Sequence, residues 1–356
     1  MDQTVTFCTF FFDIGRHNWG HYGLANSTYM FWFRNLLSLN INLYIETEEK
    51  FVSYIKEARQ KVDPDLKKTV IVIKRVDQLK SYTTFNSELT QLMESDEFKN
   101  KIQHKVPEMT QVLYNVLMFN KVHTLKQAIE SNPFNTRYFS WVDAGFIRDS
   151  SWVDHNIDWP DPERLGLKEN KVRFFCIDDS LLTSLRHVEY HCMSQIRYLK
   201  GTIFFLDKRC IDELIVLFEN SVRKCLSNKF IGSDEKIFDL CYLTKPNLFE
   251  LVRCDWRQEF ALYAKQHERE YSLVITWKKE DIEKAKDYSF WYVGIEDNTT
   301  AVIYRQDLTP EEHSEFLTFQ QFSLPVRFKS FTAPKRVVIW PVSQSKSWLT
   351  RVVYNF

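Results

Sequence analysis

Apolar and polar positions along the chain fall into two textures. From Thr4 to Phe12 an uninterrupted β-type run, rich in Thr, Val and Phe, predicts a strand covered on both faces, as in the interior of a mostly parallel sheet. Helical spacing follows over Tyr22 to Leu39, a short strand over Ile41 to Ile45, a helix over Thr47 to Lys61 and another buried strand over Thr69 to Ile73. Charged helical sequence runs from Ser87 to Lys105, and Pro107 opens a long helix to about Ser131, proline being tolerated in a first turn. Strands are expected again at Tyr138 to Val142, Lys171 to Ile177 and Lys200 to Leu206. An amphipathic helix follows over Asp207 to Leu226, with Ile211, Leu214, Ile215, Phe218 and Val222 on one face. Strand and helix alternate throughout, which predicts an α/β domain built on a mostly parallel open sheet flanked by helices.

From about Tyr271 the texture changes to short β-type runs, interrupted at Thr309-Pro310-Glu311-Glu312 by a helix-opening capping box. This divides the chain into a domain over 1–270 and a small α+β or β-rich module over 271–356.

Lys plus Arg and Asp plus Glu are equal at 47 each, so no net field draws the protein to nucleic acid or to an anionic surface. The seven cysteines stand far apart with no Cys-x-x-Cys pair, as expected of reduced, buried thiols in a cytoplasmic protein. The first dozen residues lack a basic leader, and no run approaches the ~20 apolar residues a membrane span needs. Aromatics at 15%, ten of them Trp, suit sugar stacking as well as core.

Chemistry concentrates where strands end. Ala144-Gly145 lets the backbone turn just after Trp141-Val142-Asp143, so one acid emerges where open α/β sheets bind ligands. Asp143 there either holds Mg²⁺ or Mn²⁺ on a diphosphate or caps the next turn. The first strand runs into Asp13-Ile14-Gly15-Arg16, in which Asp13 can accept from a base or ribose and Arg16 can fork onto phosphate; the alternative is an ion-paired surface turn. Lys121 is either a phosphate or sugar contact or a solvated helix lysine. Asp234 and Glu235 open a helix, where paired acids either serve the dipole or supply a catalytic base. His187 and His191, four apart, are also weighed as zinc ligands.

Taken in order, Asp13-Ile14-Gly15-Arg16, Asn120-Lys121, Asn132-Pro133-Phe134, Trp141-x-Asp143-Ala144-Gly145 and Asp234-Glu235 resemble the bacterial HtrL/YibB family, over about residues 4 to 255. That family is associated with envelope polysaccharide biosynthesis and is similar to GT-A-fold glycosyltransferases. The resemblance implies a soluble transferase that moves a sugar from a UDP- or GDP-sugar to an oligosaccharide or glycoconjugate acceptor. Donor binding would fall to Asp13, Gly15, Arg16, Lys121, Trp141, Asp143 and Gly145, with Mn²⁺ or Mg²⁺ on Asp143 and acceptor chemistry at Asp234 or Glu235. The chain departs from the general pattern in two places. The usual Asp-x-Asp is reduced to Trp141-Val142-Asp143, and a glycine-rich stretch survives only as Gly201. A glycan-binding or scaffolding protein on a decayed transferase domain is the alternative these departures motivate.

Overall fold

A computed structural model describes residues 4–177, 188–194, 196–254 and 258–265, together with the strand backbones of 269–278, 288–296, 301–307, 321–330, 336–343 and 352–355. The chain forms two compact units, residues 1–265 and 266–356. Unit 1 is built on seven strands: β1 (Val5–Phe11), β2 (Asn42–Thr47), β3 (Thr69–Ile73), β4 (Tyr138–Val142), β5 (Val172–Cys176), β6 (Leu199–Asp207) and β7 (Phe249–Arg253). Their order across the sheet is β3-β2-β1-β4-β6-β5-β7. All neighbours are parallel except at β6, which runs against both β4 and β5. This is the mostly parallel open sheet flanked by helices that the sequence predicts.

Side chains of a strand alternate between faces, and the strands here are apolar on both. Cys8, Trp141, Phe174 and Phe204 therefore enter one core, packed under the helices Lys80–Glu94, Val112–Phe119, Lys121–Ser131, Ile211–Ser227 and Asp234–Thr244. Their chain neighbours Phe7, Val142, Phe175 and Phe205 enter a second core, under Asn26–Leu37, Val52–Arg59 and Glu259–Tyr263.

Several expected elements differ in detail. The long helix expected from Pro107 to Ser131 is three pieces, Pro107–Thr110, Val112–Phe119 and Lys121–Ser131. Gln111 takes an extended conformation between the first two, and the buried Asn120 separates the others. The strand Thr69–Ile73 is only half covered, because it is the sheet edge and Ile73 is exposed. The polar, proline-containing segment 149–170 is too long for an ordinary connection, which predicts a lid or acceptor loop, but it is pinned to the second core. Its Trp159 is fully buried, stacks on Phe260 with ring centroids 4.9 Å apart, and donates its indole N–H to the Phe260 carbonyl at 2.9 Å.

Unit 2 contains two antiparallel assemblies. β8 (Arg269–Lys278) pairs with β11 (Gln321–Ser330), while β9 (Tyr288–Glu296), β10 (Ala301–Asp307), β12 (Arg336–Ser343) and β13 (Val352–Asn355) form a sheet in the order β10-β9-β12-β13. The helix expected at Thr309 lies outside the described residues.

One buried cation ties the layers of unit 1. The Arg59 guanidinium donates to the carbonyls of Leu37, Leu39 and Ile41, joining the end of one helix to the start of β2. Replacing Arg59 by Met removes the donors from all three carbonyls, and is expected to cost about 3 kcal/mol of unfolding free energy. Urea denaturation checks this; a midpoint equal to that of the parent protein would contradict it.

Candidate active site

β1 and β4 lie side by side and parallel, yet the chain leaves β1 toward β2 and β3 on one flank and reaches β4 on the other. Such a switch in strand order opens a crevice beyond the carboxyl ends, the usual ligand position in open α/β sheets. Here the crevice is a cleft of about 410 Å³. Asp13, Arg16, Lys121, Asp143, Gly145, Asp234 and Glu235 all line it, so residues spread over more than 220 positions of sequence meet in one place.

Asp143 follows β4 directly and its backbone N–H donates to the Thr202 carbonyl of β6 at 2.8 Å. Trp141, standing where an Asp-x-Asp would carry its first acid, is wholly buried and donates its indole N–H to Asp143 Oδ1 at 2.7 Å. It therefore orients the acid from behind. Asp143 Oδ1 also faces the Lys121 ammonium at 3.0 Å.

Lys121 is itself buried, at 1% exposure, which rules out the solvated helix lysine. Its Nζ donates to the Gly201 carbonyl at 2.8 Å and lies 2.7 Å from Asp234 Oδ2 in an ion pair. Burial works to lower the ammonium's pKa, but Asp143 and Asp234 outweigh it and hold the group above its ordinary value. The start of its helix is fixed by a buried polar network at the end of β2. Glu46 accepts from Thr124 Oγ1 at 2.9 Å, from Asn120 Nδ2 at 3.4 Å and from Lys74 at 2.8 Å, while Ser81 donates to Asn120 Oδ1.

Asp234 and Glu235 begin the Asp234–Thr244 helix and are both buried. Burial pushes the Asp234 carboxyl up against the pull of Lys121. It pushes Glu235 up to about 7, against the pull of Arg197, whose Nε lies 3.0 Å from Glu235 Oε2. The same guanidinium reaches Glu108 at 3.2 Å. The helix end can sit this close to β6 because residue 201 is glycine: a Cβ there would stand 2.6 Å from Asp234 Oδ2 and 3.0 Å from Glu235 Cγ.

At the other wall Gly15 is left-handed, with φ 72°, and its N–H donates to Asp13 Oδ1 at 3.0 Å. That bond, with Lys50 at 3.1 Å from Oδ2, holds Asp13 below the usual carboxylate range. Asp13 is thus the ion-paired turn weighed from sequence, yet it still lines the cleft. Arg16 is packed among three aromatic rings, Trp19, Tyr29 and Tyr114, at 5.6, 4.8 and 5.4 Å. Gly145 backs onto Trp32, against which Arg148 stacks at 4.6 Å.

His187 lies outside the described residues. His191 is buried, with Nε2 2.8 Å from Asp239 Oδ2, and among the described residues no three side chains of His, Cys, Asp or Glu group as metal ligands. Arg197, Glu108, Tyr114 and Trp32 were not legible as site residues, since no local motif marks them.

A divalent ion on Asp143 has to be weighed against this arrangement. The oxygens of Asp143, Asp234 and Gly201 are chemically suited to Mg²⁺ or Mn²⁺, but they stand 2.7 to 3.0 Å from an ammonium that already joins them. Magnesium–oxygen bonds are about 2.0–2.1 Å. Two unit charges about 4 Å apart interact by about 4 kcal/mol at an effective dielectric of about 20, and a divalent ion doubles that repulsion. As arranged, these residues do not fit an ion shared by Asp143 and Asp234.

The fold and cleft define an α/β protein with a mostly parallel open sheet and a polar cleft at its switch point. Its family follows from sequence: the model of the family described as "Bacterial protein of unknown function (HtrL_YibB)" matches residues 3–265, and the chain belongs to that family. Protein HtrL of Escherichia coli (strain K12) is 25% identical over 263 residues, covering 70% of this chain and 88% of that protein. The crystal structure of mouse xyloside xylosyltransferase 1 in its apo form matches at a TM-score of 0.35 and 12% identity, over 71% of this chain and 86% of that one. Among the described residues no helix is long and apolar enough to cross a membrane.

Gly201→Ala tests the packing of the site. The added Cβ must displace the start of the Asp234–Thr244 helix, and over-packing of this kind costs about 1–3 kcal/mol. Denaturant titration should show that loss; an unchanged midpoint would mean that the close approach is not real.

Proposed function

We propose that unit 1 transfers a sugar from a nucleotide diphosphate donor, a UDP- or GDP-sugar, to a glycan or glycoconjugate acceptor. The observation that carries this reading is the meeting of Asp143, Lys121, Asp234 and Glu235 in one cleft at the switch point between β1 and β4. The wall formed by Asp13 and Arg16, with Gly15 turning the chain between them, would take the nucleoside. Arg16 there offers a guanidinium already stacked on aromatic rings, a geometry that leaves its edge to meet anions.

The two acids divide the chemistry between them. Asp234 is committed to Lys121, so its role is to hold the ammonium beside Asp143. Glu235 is the acceptor-activating group, because a carboxyl held at about 7 changes protonation near neutrality and can take a hydroxyl proton. Arg197 keeps it oriented toward the cleft. The scaffold alternative, sugar binding without turnover, differs in one observable: it releases no nucleoside diphosphate.

Glu235 is protonated below about 7 and ionised above it, so base catalysis should rise as pH passes upward through that value. Release of nucleoside diphosphate from UDP- and GDP-sugars, followed from pH 5.5 to 8.5, is expected to show that rising limb. Glu235→Gln should lower turnover by about 10²–10⁴-fold and abolish the limb while nucleotide binding persists. Equal turnover in parent and variant would remove Glu235 from the reaction, and no release by either would favour the binding-only reading.

A further inference from the structure

Three oxygens contact the Lys121 ammonium. Gly201 O at 2.8 Å, Asp234 Oδ2 at 2.7 Å and Asp143 Oδ1 at 3.0 Å come from three separate elements and converge on one nitrogen. Two carboxylates and a carbonyl are the donor set expected around a hard divalent cation, not around a lysine that merely packs. The placement is also rigid. The Glu46–Asn120–Thr124 network fixes the root of the Lys121 helix, the Trp141 ring lies 5.5 Å from Nζ, and the bare Gly201 admits Asp234.

We propose that Lys121 is a built-in cation: its ammonium fills a three-oxygen cage that is otherwise a divalent-cation site. The free protein therefore takes up no Mn²⁺ or Mg²⁺ between Asp143 and Asp234, and removing the ammonium converts the cage into such a site. An ammonium suits the observed spacing, because N–H···O contacts at 2.7–3.0 Å are ordinary for nitrogen, whereas an ion in its place would draw the same oxygens in to about 2.0–2.1 Å. Its charge also explains how Asp143 and Asp234, two acids in a mostly buried setting, are held on either side of one point without mutual repulsion. The claim concerns the free protein, so it stands or falls separately from the transferase reading.

The probe is Mn²⁺ alone, with no nucleotide, followed by the electron paramagnetic resonance signal of the free ion. The parent protein is expected to leave that signal undiminished. Lys121→Gln is expected to take up about one equivalent, at least about tenfold more tightly than the parent, and to melt higher when Mn²⁺ is added. Lys121→Gln combined with Asp234→Asn should lose the gain, because one carboxylate of the cage is gone. Tight stoichiometric uptake by the parent would overturn the proposal, as would a folded Lys121→Gln protein that binds no more Mn²⁺ than the parent. A Lys121→Gln protein that folds only with Mn²⁺ supports it. One that stays unfolded in Mn²⁺ counts against it, since an ion in the cage would restore the missing charge.

Discussion

The acidic wall of the cleft depends on one buried ammonium. Lys121 touches the acid after β4, the acid that opens the Asp234–Thr244 helix and the backbone of β6. Without it, the buried Asp234 carboxylate would lose its counter-ion and face the half-buried Asp143, and breaking a buried pair of this kind leaves an uncompensated charge that costs several kcal/mol. The pair is therefore a constraint on geometry more than a source of stability. It fixes how far the helix that carries Glu235 can stand from the strand that carries Asp143.

The surrounding fold is arranged to meet that constraint. β4 needs Trp141 buried so that its indole can hold Asp143 from the core side. β6 runs against its neighbours and so brings its amino-terminal end, with Arg197 before it and Gly201 within it, to the same edge as the carboxyl ends of β1 and β4. The buried Glu46 at the end of β2 serves the lysine indirectly, through Asn120 and Thr124. Aromatic packing does the rest: the two cores on either side of the sheet leave the strands little freedom to slide, so the strand ends keep their register.

Six of the sheet's seven strands were legible because they are apolar runs, and Asp143 with Ala144-Gly145 stands out as a strand end; β7, Phe-Glu-Leu-Val-Arg, carries two charges in five residues and was not. The acids Asp234 and Glu235 were legible as a helix opening. Their connection to Lys121, some 113 positions earlier, was not, because an ion pair across a fold leaves no periodic trace in sequence. The same holds for Arg197, which no motif surrounds. Lys121 illustrates the limit most plainly: by composition it belongs to a polar helix face, and only the packing of that helix against β1 and β4 buries it. The broken helix after Pro107 was missed for a related reason, since Gln111 and Asn120 are ordinary helix residues, and Asn120 is held by its tertiary partners Glu46 and Ser81.

The most direct test of a nucleotide-sugar cleft at the β1–β4 switch point is a thermal-shift comparison of the parent protein with UDP, GDP and their sugar conjugates, each with Mn²⁺ and with chelator. A ligand at about 100 times its dissociation constant adds about 2.7 kcal/mol to stability, well within the reach of such a measurement. Stabilisation by one nucleotide family, and not by the other, is the predicted result. Absence of any shift with either family, in either condition, would contradict it.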